Sequence, residues 1–170
     1  MSSEQNNSDE ISRLRINSRA KHMILKDYLP AWFGILGSWN KTLNYFDCYA
    51  GGGRYVWNKT NEHVEGSPLI SINACIDLLN TDRKNKPEKI NLLFIDEDDQ
   101  QLERLQKEIS SVKNIPSALR LELIKSDSES VIRDLLKEVS DLAPSFFFID
   151  PYNHPFSLQF MNEILKRKYT

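Results

Sequence analysis

The sequence predicts an α/β domain, a parallel sheet with helices on both faces. Three observations carry that expectation. Four short apolar runs, "LNYFDCYA", "INLLFID", "LRLELIKSD" and "SFFFIDPYN", recur along the chain. Segments with helical periodicity separate them. Each run also closes on an acid: Asp47, Asp96, Asp127 or Asp150. Apolar strands joined by helices belong to a parallel sheet covered on two sides, a Rossmann-like three-layer α/β/α sandwich. Its crossovers are expected to be right-handed, and its ligands to bind beyond the carboxyl ends of the strands.

The elements follow in order. Residues 1–16 are polar and read as a disordered tail, leaving 17–170 as the domain. A helical segment over 17–40 places Met23, Ile24, Tyr28, Trp32, Ile35 and Leu36 on one stripe, with Pro30 expected to kink or split it. "LNYFDCYA" is the first strand, and "GGGR" the turn after it. Residues 54–65, "RYVWNKTNEHVE", form a polar excursion. The next helix starts at "GSPL", with Ser67 as its cap and Pro68 at its first position. Its apolar residues Leu69, Ile72, Ile76 and Leu79 recur at helical spacing. After the second strand comes an amphipathic helix marked by Leu102, Leu105, Ile109 and Val112. The third strand, the helix "SVIRDLLKEVS" and the fourth strand complete the order.

Composition excludes several classes. A chain of 170 residues suits one domain with a real core. No apolar run is long enough to span a bilayer, and "MSSEQNNSDEISRLR" has no apolar signal core. Cys48 and Cys75 have neither metal spacing nor a secreted disulfide pattern. His22, His63 and His154 are too scattered for a metal site, and His22 reads as structural. A cytoplasmic protein without membrane attachment is expected. Net charge is −2, so nucleic acid is not attracted globally. Arg13, Arg15, Arg19, Lys21 and Lys26 cluster early, and Lys166, Arg167 and Lys168 late. Either group could meet phosphate, although a solvated helix face accounts for both.

The turn "YFDCYAGGGR" raises the question of a ligand, because three of the six glycines sit there. A phosphate loop needs Lys followed by Ser or Thr after its last glycine, and "GGGRYV" has neither. A dinucleotide fingerprint needs G-x-G-x-x-G running directly into a helix. Here the helix waits until Pro68, and Asp96 lies too far along. S-adenosylmethionine fits better. Ala50, Gly51 and Gly53 would let the backbone pass close to its methionine half, with Asp47 beside them. Asp96 would accept from both ribose hydroxyls, and Asp127 from the adenine amine. The competing reading for Asp127 is a helix cap in "SDSES".

The fourth strand ends in "IDPYN". An acid, a proline and an aromatic here resemble the (Asp/Asn)-Pro-Pro-(Tyr/Phe) motif of methyltransferases acting on exocyclic amines, with one proline missing. A conjugated amine is a poor nucleophile because its lone pair is delocalised into the ring. Asp150 and the Pro151 carbonyl could take its two hydrogens and turn the lone pair towards a methyl donor. Tyr152 could stack on the base. A turn, with Asp150 as a helix-start acid, is the bland alternative.

With "KHMILKDYLPAWFGILGSWNKTLNYFDCYAGGGRY", "EGSPLIS", "LLFIDED" and "FFFIDPY", the chain resembles the three-Cys-motif partner proteins, TcmP. Tyr49 stands where that family usually has Phe, and Gly52 where it usually has Pro, which loosens the loop. The resemblance implies a class I methyltransferase-like fold and a partner carrying a three-cysteine, radical-SAM-like motif. It supplies no substrate. It also gives the excursion a purpose, with Arg54, Tyr55, Trp57 and His63 as a lid or substrate-facing loop beside the ordinary surface-loop reading. The sheet of that fold continues beyond its fourth strand, so the apolar run "SFFFID" would lie at a bare edge. The chain is therefore expected to be a fragment, a truncated product, or a protomer that pairs this edge. The functional expectation is a methyltransferase acting on an amine, such as the exocyclic amine of a nucleobase. The alternative is a non-catalytic partner subunit that keeps the cofactor fold, and an oxidoreductase ranks third.

Overall fold

The computed structural model describes residues 11–138, 141–151 and 157–166. Strand β1 (Arg13–Leu14) leads into helix α1 (Ile16–Gly37), and strand β2 (Thr42–Asp47) follows. A hairpin of β3 (Arg54–Trp57) and β4 (His63–Glu65) precedes helix α2 (Ser67–Leu79). Then come β5 (Lys89–Asp96), α3 (Asp99–Ser111), β6 (Leu119–Lys125), α4 (Ser128–Glu138), β7 (Ser145–Phe148) and α5 (Leu158–Leu165).

The main sheet is parallel throughout, in the order β6-β5-β2-β7. These are the four strands expected from the sequence, arranged third, second, first, fourth. The order reverses between β2 and β7. In an open α/β sheet the crevice at such a reversal is where ligands bind. β7 lies at the edge beside β2, with no strand on its other side among the described residues.

Alternation along each strand divides the core into two. Leu43 and Tyr45 of β2, with Ile90, Leu92 and Phe94 of β5, face Leu25, Leu29 and Phe33 of α1, Leu69 and Ile72 of α2 and Leu105 of α3. Phe46, Cys48 and Ile95 face the other way, towards Ile132 and Leu136 of α4 and Phe160 and Ile164 of α5. Helices therefore cover both faces of a four-stranded parallel sheet. Aromatic rings join β2 to the edge strand β7: Tyr45 stacks on Phe146 at 5.7 Å and Phe46 on Phe147 at 4.7 Å.

The structure corrects several expectations. The stripe expected on α1 is only partly the buried face: Met23, Ile24, Tyr28 and Ile35 are exposed, Trp32 and Leu36 pack against the core, and His22, Leu25, Leu29 and Phe33 are buried. This helix is apolar nearly all round, so spacing left two faces eligible, and packing on the sheet chose one. α1 is assigned as one helix through Pro30 instead of being split there. Part of the disordered tail expected over 1–16 is structured, since β1 pairs in parallel with β3, Arg13 against Val56 and Leu14 against Trp57; residues 1–10 lie outside the described residues. The excursion at 54–65 is an antiparallel hairpin in this second, three-stranded sheet. Ser67 is not the cap of α2. Gly66 holds that place, and Ser67 is the first helical residue.

Candidate functional site

The glycine turn is held against the end of the neighbouring strand. Ala50 N–H donates to the Ile95 carbonyl at 3.0 Å, and Gly51 N–H donates to Asp96 Oδ2 at 2.8 Å. Gly51 and Gly53 have φ of 61° and 80°, in the left-handed region that only glycine enters readily. Their missing side chains also matter. A Cβ on Gly51 would stand 2.0 Å from the Tyr55 hydroxyl, and one on Gly53 would stand 2.8 Å from Leu105 Cδ1. Gly51 and Gly53 are thus demanded first by the protein's own packing.

A cavity of about 380 Å³ opens where the strand order reverses. That size lies within the range of about 300–1,000 Å³ usual for small-molecule sites. Tyr49 and Gly51 from the turn, Asp96 at the end of β5 with Asp98 just after it, and Phe148 at the end of β7 with Asp150 just after it line the cavity. His22 on α1 and Tyr55 on β3 line it too, together with Ser12 and Leu14.

The predicted site residues fare differently. Asp96 and Gly51 line the cavity together. Each Asp96 oxygen already accepts one N–H, Oδ2 from Gly51 and Oδ1 from Asp98 at 3.0 Å, which fixes the carboxylate and leaves further lone pairs for a ligand. Asp150 lines the opposite wall, paired with Lys21 of α1. Ala50 and Asp47 are fully buried and are not among the residues lining the cavity. Burial pushes the Asp47 carboxyl up to about 7, with the Asp96 charge adding to the rise. The Ser67 hydroxyl, the Tyr49 amide and the Tyr45 hydroxyl (3.4 Å from Oδ2) oppose it. Oδ1 has no partner in hydrogen-bonding geometry, so these neighbours offset burial only in part.

Asp127 goes elsewhere. Its Oδ2 accepts from both the amide and the hydroxyl of Ser130, at 2.8 Å each, so it caps α4 and does not line the cavity. Burial works to raise this carboxyl, but the Ser130 and Glu129 donors outweigh it and hold it below the usual value. The Ser-rich stretch after Asp127 already carried that signal. Pro151 is described but does not line the cavity, and Tyr152 lies outside the described residues.

His22 and Tyr55 are the residues that sequence reasoning undervalued. The imidazole is 5% exposed, with ring centroids 6.0 Å from Tyr55 and 6.4 Å from Phe148. Burial lowers its pKa to about 4. The Asp150 charge works against that shift, and Arg19 and Lys21 reinforce it. His22 is therefore neutral at physiological pH. Tyr55 fills the space between two glycines, since a Cβ on Gly66 would stand 2.6 Å from its ring. Of the other residues expected in a lid, Arg54 pairs with Glu108 at 3.0 Å. Arg54 and His63 border a shallower groove outside, where Arg19 and Lys26 are balanced by Asp27, Glu62 and Glu65. That mixture weakens the phosphate reading of the early basic cluster.

Among the described residues, no three His, Cys, Asp or Glu side chains come together as a metal group, and no helix is long and apolar enough to cross a membrane. No protein-family model matches the chain, and no curated protein matches it.

Proposed function

We propose that this chain is a class I methyltransferase-like protein whose cavity takes S-adenosylmethionine and presents it to an amine. One observation carries the reading: the glycine turn after β2 and the acid ending β5 share a wall of the cavity at the strand reversal, and Asp150 stands across from them. The residues present fit the cofactor in part. Gly51 offers backbone close to a ligand, and Asp96 is fixed by two N–H groups with acceptor capacity to spare for ribose hydroxyls. Asp127 does not reach the cavity, so adenine recognition falls to groups nearer Asp98 and Gln101, which do line it.

Bound there, S-adenosylmethionine would supply an electrophilic methyl group on its sulfonium. Asp150 would accept an N–H of the amine and take the proton released from that nitrogen. Lys21, paired with Asp150, positions the carboxylate. Tyr49, Tyr55 and Phe148 give the cavity flat apolar walls that suit a nucleobase and exclude water. The resemblance to the TcmP proteins adds a partner with a three-cysteine, radical-SAM-like motif to this reading.

A specific observation favours a second reading, a non-catalytic partner subunit that keeps the cofactor fold. Tyr55 stands over Gly51, and Lys21 occupies Asp150, so both halves of the site are engaged by the protein itself. Calorimetry with S-adenosylhomocysteine separates the two. Binding, with transfer of labelled methyl to DNA, RNA or the partner that Asp150→Ala abolishes, supports the enzyme. Binding without transfer supports the subunit, and absence of binding overturns the cofactor assignment.

A further inference from the structure

Helix α1 delivers two neighbouring side chains to the acid that ends the fourth strand. Lys21 pairs with Asp150, and His22 enters the cavity wall between Tyr55 and Phe148. A neutral imidazole has one N–H and one lone pair to offer. His22 Nδ1 is buried with no hydrogen-bond partner among the described residues. The Pro151 carbonyl, expected from the sequence as the second acceptor for an amine, belongs to a residue that does not line the cavity.

Resting on the methyltransferase reading, we infer that the His22 imidazole accepts one hydrogen of the substrate amine while Asp150 accepts the other. Two acceptors lining one cavity match the two hydrogens of a primary amine. The aromatic neighbours Tyr55 and Phe148 match a flat ring bearing it. Lys21, already beside Asp150, repels an alkylammonium ion and so disfavours an aliphatic amine. The substrate class is an uncharged heteroaromatic primary amine, of the adenine or cytosine type. The charged and titratable groups facing His22 are Asp150, Arg19 and Lys21, with Tyr55 against its ring.

The test uses the full chain saturated with S-adenosylhomocysteine and titrated with adenosine and cytidine, with inosine and uridine as counterparts lacking the amine. Imidazole ¹⁵N spectra and calorimetry are the readouts. The amine-bearing nucleosides are expected to shift the His22 nitrogens, while the other two leave them in place. His22→Ala should weaken adenosine about tenfold, the effect of leaving one polar hydrogen unpaired, and His22→Gln should recover most of that through its side-chain carbonyl. Unchanged S-adenosylhomocysteine affinity in both variants shows that they are folded. Equal adenosine affinity in wild type and His22→Ala, equal shifts with inosine, or no nucleoside binding at all overturns the inference while the cofactor reading stands. Failure of the wild type to bind S-adenosylhomocysteine overturns both.

Discussion

Gly51→Ala separates what the glycine turn does for the fold from what it does for a ligand. The substitution meets two costs. The backbone sits at φ 61°, where a residue with a Cβ is disfavoured by about 1–2 kcal/mol. The added carbon would also stand 2.0 Å from the Tyr55 hydroxyl. A side-chain tip can often swing away, but this ring is closely flanked, with Gly66 near one edge and His22 at 6.0 Å. Overpacking of that kind costs about 1–3 kcal/mol. The sum is about 3 kcal/mol. With a urea slope of about 2 kcal/mol/M, the unfolding midpoint should fall by about 1.5 M. Tyr55→Phe removes the offending oxygen and leaves the ring carbon at 3.3 Å from the same Cβ. In that background Gly51→Ala should cost only the backbone part, about 1–2 kcal/mol. A double-mutant cycle on urea midpoints reads the difference directly. Equal costs in the two backgrounds would falsify the claim that Tyr55, and not the backbone alone, requires this glycine.

Two buried groups give opposite pH dependences in one window. Asp47 titrates near 7 in the fold against 3.8 in the unfolded chain, so the native state binds the extra proton and stability falls as pH rises from about 4 to 7. Asp47→Asn should remove that decline in a series of urea melts. His22 titrates near 4 in the fold against 6.5 unfolded, so its contribution is lost as pH falls from about 6.5 to 4, and His22→Gln should flatten the acid side. Arg133 makes two contacts of 2.6–2.7 Å to Glu163 and lies 5.3 Å over the Phe160 ring, tying α4 to α5. Arg133→Ala should lower stability by about 1–2 kcal/mol, and hydrogen exchange should show faster opening confined to α5. Lys21→Met should change stability by less than about 1 kcal/mol, since the pair is half-exposed on the lysine side, while weakening any amine binding that depends on Asp150.

The strands and their acids were legible because a parallel strand advertises itself by an apolar run and ends where polarity returns. β2, β5, β6 and β7 fall where those runs lie, and helix α3 begins after Asp98, whose side chain accepts from Gln100 N–H at 2.8 Å. The face that α1 buries was not legible, because the helix carries apolar residues nearly all round. The hairpin at 54–65 was hidden too, since β3 is half-buried and β4 has only three residues, too few for alternation to show.

Sequence alone placed an acid at the end of each of four strands or two residues past it, at one rim, because strand direction is fixed once the connections are helical. It could not decide which of those acids face a common space. Tertiary structure did that: Asp96 and Asp150 border the cavity, Asp47 lies buried, and Asp127 turns back to cap α4. For Asp127 the partner is local, the Ser130 donors three residues on. The partners of Asp150 lie on α1, 129 residues away in the chain for Lys21, so the pairing exists only once the sheet has brought β7 beside the first helix. His22 shows the same division. Its identity was plain from the start, but its place in the cavity wall follows from the face of α1 that the sheet selected.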